Sequence, residues 1–172
     1  MSYQINQIQA SYNATEDRIL LKIKTLNEQV YLAWLTRRFV SLLLPLLHGK
    51  HPTTGEALFN EQTTMIHQAE KQQTQRHGDF DTAYETPENP TYPLGETPIL
   101  LAKMTFKNLN QVVEDERPKL ILEPEMGTGI ILPFNPELLG AMLKILAQVI
   151  EQADWALQMA QIIEMPTESR LQ

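Results

Sequence analysis

The amino-acid sequence predicts an α+β protein with two βββα repeats, whose sheets are antiparallel, whose helices pack on one face, and which ends in a long C-terminal helix. Residues 1–49 and 99–172 each contain three short strand-like segments followed by a helix-like segment. Corresponding apolar positions in the two stretches are offset by 99 to 101 residues, as an internal duplication would produce. A length of 172 residues suits one compact unit with a sizeable core.

Residues 50–98 separate the two repeats and differ from them in composition. They contain eight acidic and three basic side chains, and four of the thirteen residues in 86–98 are prolines. Such a composition is typical of an extended connection. We therefore predict an acidic, Pro-rich, solvated linker with a short helix over 56–76.

The first repeat is predicted to begin with three antiparallel strands. In residues 3–12 the apolar phase shifts between Ile5 and Ile8, as a β-bulge would produce. Apolar residues then alternate with polar ones over 18–24, and a third strand is expected over 29–35.

An apolar helix follows these strands. Thr36 is predicted as its N-cap and Gly49 as its C′ residue, because a hydroxyl can accept a first-turn N–H and glycine tolerates a left-handed backbone. Pro45 lies inside the segment, where it removes a backbone hydrogen bond, so a kink or an early end is expected there.

The second repeat shows the same order of elements. Leu100, Ala102, Met104 and Phe106 are predicted on one face of its first strand, and Leu120 and Leu122 point inward from the next. The sequence Gly127-Thr128-Gly129 predicts a tight turn into the third strand, and Asn135-Pro136 is expected to open the last helix.

This last helix is predicted to run over 136–165, which at 1.5 Å per residue is about 45 Å. That length exceeds the diameter of a compact domain of this size. The later turns then need a cover, either the middle segment or a second chain, and we favour a homodimer. The predicted oligomer interface consists of apolar residues of these turns: Trp155, Leu157, Met159, Ile162 and Ile163.

Several function classes are disfavoured by what the sequence lacks. There is no cysteine, hence no disulfide, thiolate nucleophile or Cys-ligated metal. Nucleophile-elbow, phosphate-loop, dinucleotide and zinc-protease motifs are absent from the sequence. We therefore predict no enzymatic activity and no cofactor. With no signal-like N-terminus and no apolar run long enough for a bilayer, we also expect a cytoplasmic protein without membrane contact.

The histidines provide the remaining catalytic alternative. Those at positions 48, 51, 67 and 77 lie in or beside the middle segment, and Asp79 and Asp81 follow the last of them. An enzyme or metal site using them ranks third among the alternatives, because their spacing matches no closed metal site. We predict surface histidines and no bound metal.

Charge is unevenly distributed along the chain, whose net charge is −7. Residues 1–49 carry +2, 50–98 carry −5 and 99–172 carry −4. The first repeat contains the candidate contact residues for an anion, a nucleic acid or a protein partner: Arg18, Lys22, Lys24, Arg37 and Arg38. The first three share a strand face at a spacing of about 7 Å, close to that of successive phosphates. Tyr12 or Tyr31 would offer a base a stacking surface.

Arg37 and Arg38 occupy the first turn of a helix, where the dipole disfavours cations. Either carboxylates of the 114–116 run or the linker pair with them, or they bind an anion. In the second repeat the face corresponding to the basic strand carries Lys119, Ile121, Glu123 and Glu125, and is predicted to be acidic. This polarity disfavours a nucleic-acid groove over both repeats and favours head-to-tail contact with a protein.

In topology, the βββα repeats resemble those of Whirly and PUR-type single-strand-binding proteins, although no motif residues correspond. That resemblance implies a curved sheet over a helix and dimerisation. The segment from Asp17 to Arg38, with Trp34-Leu-Thr-Arg-Arg38 at its end, also resembles an uncharacterised bacterial protein family of unknown function. We predict a non-enzymatic protein-interaction or adaptor module that self-associates, with single-stranded nucleic-acid binding through the basic first repeat as the alternative.

Overall fold

Six strands form one mixed sheet in the order β1-β2-β3-β4-β5-β6, accompanied by two helices. The computed structural model describes residues 4–58, 80, 83–107, 118–133 and 136–155. Within them the elements, in chain order, are β1 (Ile5–Asn13), β2 (Arg18–Thr25), β3 (Val30–Thr36), α1 (Arg37–Leu47), β4 (Ile99–Lys107), β5 (Lys119–Pro124), β6 (Ile130–Pro133) and α2 (Pro136–Ala153). The predicted α+β class is confirmed.

The first three strands are antiparallel neighbours, as their alternating pattern predicts. Ile19 pairs with Leu35 and Tyr12 pairs with Ile19 across the two ladders. The register of β1 against β2 shifts between Ile5 and Gln7. The β-bulge predicted from the apolar phase shift is therefore confirmed.

A parallel contact joins the two halves of the chain into a single sheet. Ala33 and Trp34 of β3 lie beside Ile99 and Leu100 of β4, whereas β4-β5-β6 are again antiparallel. The junction is parallel because the chain leaves the C-terminal end of β3 through α1 and comes back to the opposite end, where Thr91 lies beside Gln29 and Val30, before it enters β4.

The predicted face of β4 is wrong in its first half. A register shift between Leu101 and Lys103 inserts one residue, and a bulge of this kind changes which residues share a face. Leu101 is only 2% exposed, whereas Leu100 is 48% exposed. Met104 and Phe106 do pack against the core, so Leu100 does not share their face.

The hydrophobic core combines one face of the sheet with the buried sides of the helices. From the strands it takes alternate residues: Ile19, Leu21, Ile23, Tyr31, Ala33, Leu35, Leu120, Leu122, Ile130 and Leu132. The helices contribute Phe39, Val40, Leu43, Leu46, Leu139, Met142 and Leu146. The inward directions predicted for Leu120 and Leu122 of β5 are confirmed.

Helix α1 has the predicted caps. The Thr36 hydroxyl accepts a hydrogen bond from the Phe39 N–H at 3.1 Å, and Gly49 has a φ of +74° just after the helix ends. The helix continues through Pro45 for two residues and ends at Leu47.

Helix α2 is shorter than predicted. It ends at Ala153, and Asp154 has a φ of +53°, which stops the helix. At 18 residues it is about 27 Å long. Trp155 then packs into the core of its own chain at 7% exposure, and residues 156–172 lie outside the described part. Neither described helix is long and apolar enough to cross a membrane.

Candidate functional site

The candidate site is the sheet face turned away from the core, which we call the open face. Residues that are direct partners across antiparallel strands project to the same side. Arg18, Leu20, Lys22 and Lys24 of β2 alternate with buried core residues and therefore lie on this face. Their partners and those of the neighbouring strands complete it: Gln7, Gln9, Ser11, Leu32, Trp34, Leu100, Lys103, Thr105, Lys107, Lys119, Ile121, Glu123 and Ile131.

The open face is basic although the chain as a whole is acidic. Its described strand residues include one carboxylate, Glu123, against six cations: Arg18, Lys22, Lys24, Lys103, Lys107 and Lys119. Two further carboxylates lie beside it, since Glu16 pairs with Arg18 and Glu125 follows the end of β5. The predicted basic row is therefore continued by β4, whose lysines our sequence reasoning did not consider. Their signal was the alternation of Lys103, Thr105 and Lys107 along the strand.

One cross-strand pair on this face is unfavourable in itself. Lys107 lies directly opposite Lys119, and like charges in that position repel. A nearby anionic group would relieve that repulsion. This end of the open face is thus suited to a negatively charged ligand.

Trp34 is the aromatic side chain that β3 contributes to the open face. The Arg18 guanidinium lies over its ring at 4.0 Å from the centroid, and Arg18 also forms an ion pair with Glu16. Neither stacking candidate named from the sequence is on this face, because Tyr31 is buried in the core and Tyr12 pairs with Ile19. The β2–β3 register, which places Trp34 opposite Leu20, would have identified it.

Residues 83–98, which we call the strap, cross one end of the open face. The Gln7 side chain donates to the Ala83 carbonyl at 3.2 Å and accepts from the Glu85 N–H at 3.0 Å. Lys24 Nζ donates to the Glu85 carbonyl at 2.7 Å and lies 5.3 Å from the Tyr84 ring centroid. Lys24 is consequently 9% exposed and is not an accessible contact.

The strap is attached again beside β3. Its residues are exposed or half-buried and form no helix, so the extended, solvated connection predicted here is also held to the sheet at defined points. The Thr91 N–H donates to the Glu28 carbonyl at 3.0 Å, and the Val30 N–H donates to the Thr91 carbonyl at 2.8 Å. Burial raises the pKa of Tyr84.

The short helix predicted over 56–76 falls mostly outside the described residues, since 59–76 are not among them. Residues 56–58 are described and are not helical, and Ala57 forms an isolated bridge with Lys50.

A groove of about 570 Å³ lies where the strap meets β4 and the β5–β6 turn. Its lining includes Leu94, Leu100, Ala102 and Met126, and Met126 is 88% exposed. The turn requires glycine, because a Cβ on Gly129 would lie 2.1 Å from the Leu122 carbonyl oxygen. The predicted tight turn thus forms one wall of an apolar groove.

Arg37 and Arg38, in the first turn of α1, are both exposed. The carboxylate of Asp17 interacts electrostatically with Arg37. It accepts hydrogen bonds from the Tyr12 hydroxyl at 2.6 Å and from Trp155 Nε1 at 2.8 Å. These hydrogen bonds, together with the charge of Arg37, lower the pKa of Asp17. The hydrogen bond between Tyr12 and Asp17 also raises the pKa of Tyr12. The predicted partners at 114–116 lie outside the described residues.

Trp155 therefore makes contacts within its own chain, where the sequence predicted an oligomer interface. Its ring is T-shaped against Tyr12 at 6.0 Å between centroids. The other predicted interface residues lie outside the described part of the chain: Leu157, Met159, Ile162 and Ile163.

No metal site is formed by the residues that the structure describes. His51 Nδ1 accepts from the N–H groups of Thr53 and Thr54 at 3.1 and 3.2 Å, and its ring packs against Phe106. His48 caps the end of α1 and is exposed. The other members of that candidate group, at 67, 77, 79 and 81, are not among the described residues.

Comparison with protein-family models, with curated proteins and with solved structures gives no match. The resemblances noted from the sequence thus stay predictions. Function has to be argued from the open face itself.

Proposed function

We propose that the protein is a non-enzymatic protein-interaction module whose open face binds an extended, acidic segment of a protein partner. The observation that carries this proposal is the strap. Gln7 and Lys24 bind it through the backbone groups of Ala83 and Glu85. Open-face side chains thus already hydrogen-bond to the backbone of an extended polypeptide.

The part of the open face beyond the strap supports the same function. Leu100 is 48% exposed there and lies directly beside Trp34, and adjacent exposed apolar side chains on one surface favour association. Lysines flank them on β2, β4 and β5. An acidic segment with aliphatic side chains complements both properties.

Single-stranded nucleic acid is the second candidate, and the Arg18–Trp34 stack favours it. A base can stack on a guanidinium plane or an indole ring. The described open face offers a single aromatic side chain among aliphatic ones, however. Protein is therefore the preferred ligand.

Photo-crosslinking tests this proposal with two positions of nearly equal exposure. Leu100 on the open face is 48% exposed, and Leu42 on α1 is 42% exposed. We would replace each in turn with p-benzoylphenylalanine and irradiate the protein in extract of its native cells. We expect a cross-linked product from position 100 and not from position 42. That product should resist nuclease, be digested by protease, and disappear in the K22E/K103E double variant.

Two outcomes contradict the proposal. Equal cross-linking at both positions, or none at position 100, would show that the open face has no protein ligand. A product removed by nuclease would establish the nucleic-acid alternative instead. Binding of labelled single-stranded DNA that weakens steeply between 50 and 200 mM salt would support that same alternative.

Two finer features belong to the proposal. The order of elements, strand-strand-strand-helix in both halves, supports origin by duplication of a βββα unit.

Self-association remains a prediction from the sequence, since the Trp155 contacts lie within one chain. Light scattering at micromolar concentration should give the mass of a dimer, and a monomer mass would remove self-association from the proposal.

A further inference from the structure

Next to the two side chains that hold the strap, the open face carries a second glutamine–lysine pair. Gln7 and Lys24 are direct partners on β1 and β2, and Gln9 and Lys22 are the next direct partners on the same face. Residues two apart on a strand are about 7 Å apart. Gln7 is buried beneath the strap, whereas Gln9 is exposed and Lys22 is half-buried. Among the described residues, the side chains of Gln9 and Lys22 form no hydrogen bond.

We propose that Gln9 and Lys22 bind the backbone of a partner's extended peptide, which lies beside the strap and crosses the strands in the same way. The inference rests on the proposed function and specifies its ligand. Gln9 would accept one backbone N–H and donate to a carbonyl two residues away, as Gln7 does with Ala83 and Glu85. Lys22 would donate to a carbonyl, as Lys24 does.

The path of this peptide follows from the order of the strands. From β1 it would cross Lys22 of β2 and then Leu32 and Trp34 of β3 before reaching Leu100 of β4. Three spacings between strands amount to about 14 Å, which an extended chain covers in four or five residues.

The residues at the far end of this path determine which side chains the peptide should carry. It leads to the groove lined by Leu94, Leu100 and Met126, which suits one aliphatic side chain, while the acidic residues stay outside the groove because its lining also includes Glu125. Acidic side chains on either side of it would lie near Arg18, Lys22 and Lys103. The recognised ligand is therefore a short extended segment with one aliphatic residue between acidic ones.

A phage-displayed library of random dodecapeptides, selected on the full chain, supplies the probe. We expect the selected sequences to be enriched in Asp and Glu around one Leu, Ile or Met. The affinity of the best labelled peptide is then measured by fluorescence anisotropy. Gln9→Ala and Lys22→Met should each weaken it about fivefold, in line with the loss of one or two hydrogen bonds. Gln148→Ala and Lys144→Met, on exposed positions of α2, are the matched controls and should leave it unchanged.

Backbone recognition is tested by replacing each amide of the peptide in turn with an ester, which removes one N–H donor. One replacement should weaken binding to the natural protein about fivefold and have no further effect on Gln9→Ala, because that variant has already lost the acceptor. Equal sensitivity of both proteins at every position would overturn the inference. So would unchanged affinity of both Gln9→Ala and Lys22→Met.

These results separate the inference from the function on which it rests. If position 100 still cross-links a protein while the Gln9 and Lys22 variants bind normally, the interaction module stands and this mode of recognition is wrong. If no peptide is selected and position 100 gives no product, both are wrong.

Discussion

The two faces of the sheet use the same strands for different purposes. In β2, Leu21 is 1% exposed and faces the helices, while the adjacent Leu20 is half-buried on the open face. The helix-covered face is almost entirely apolar, whereas the open face mixes aliphatic and basic side chains. The difference indicates that one face determines stability and that the other is available for binding.

The largest effect expected on stability comes from the helix-covered face. Leu21→Ala should lower the free energy of unfolding by about 2–5 kcal/mol, since it leaves a cavity in a packed core. Leu20→Ala should cost about 1 kcal/mol or less, because its side chain is already partly solvated. Urea denaturation of the two variants measures both values. Equal losses would contradict the distinction between the faces.

Thr36 is the last residue of β3 and the N-cap of α1. Thr36→Ala removes the acceptor for the Phe39 N–H and should cost about 1 kcal/mol in the free energy of unfolding. Thr36→Ser keeps the hydroxyl and should retain most of that stability. If serine were no better than alanine in thermal denaturation, the cap would not be the cause.

Asp17 links the β1–β2 turn to Trp155 beyond α2, and it should make stability depend on pH. Its pKa is lowered in the folded protein, so its contribution is present above the unfolded pKa and is lost as pH falls through the lower folded value. Below about pH 4 the urea midpoint should therefore decline. Asp17→Asn should have a lower midpoint at pH 7 and a smaller decline, and parallel curves would contradict this role.

The smallest effect on stability is expected on the open face at Lys22. Lys22→Met should change the free energy of unfolding by no more than about 0.5 kcal/mol, since the side chain is on the surface. The same substitution should weaken peptide binding. A large loss of stability would show that Lys22 supports the fold rather than a ligand.

Much of the fold could be predicted from local patterns. The alternation around Ile19 and Leu21, the phase shift near Ile5 and the Thr36 cap each depend on neighbouring residues, and all are confirmed. The end of α2 could not be predicted in this way. It depends on Trp155 reaching Asp17, which is 138 residues distant in sequence.

The candidate site was predicted less completely for the same reason. The shared face of Arg18, Lys22 and Lys24 followed from period-two spacing and is confirmed. The burial of Lys24 was not foreseeable, because Glu85 is 61 residues away and binds it through a backbone carbonyl that carries no sequence signal. Leu100 was misplaced because residues 99–102 are all apolar, so the bulge in β4, unlike the one in β1, produces no visible phase shift.

The two tryptophans report on the central claim most directly, because Trp34 lies on the open face and Trp155 is buried against the core. Protein labelled with 5-fluorotryptophan should give two ¹⁹F resonances, which Trp34→Phe assigns. On titration with the selected acidic dodecapeptide, the Trp34 resonance should shift and the Trp155 resonance should stay in place. A shift of Trp155 alone, or of neither resonance at saturating peptide, would contradict binding on the open face.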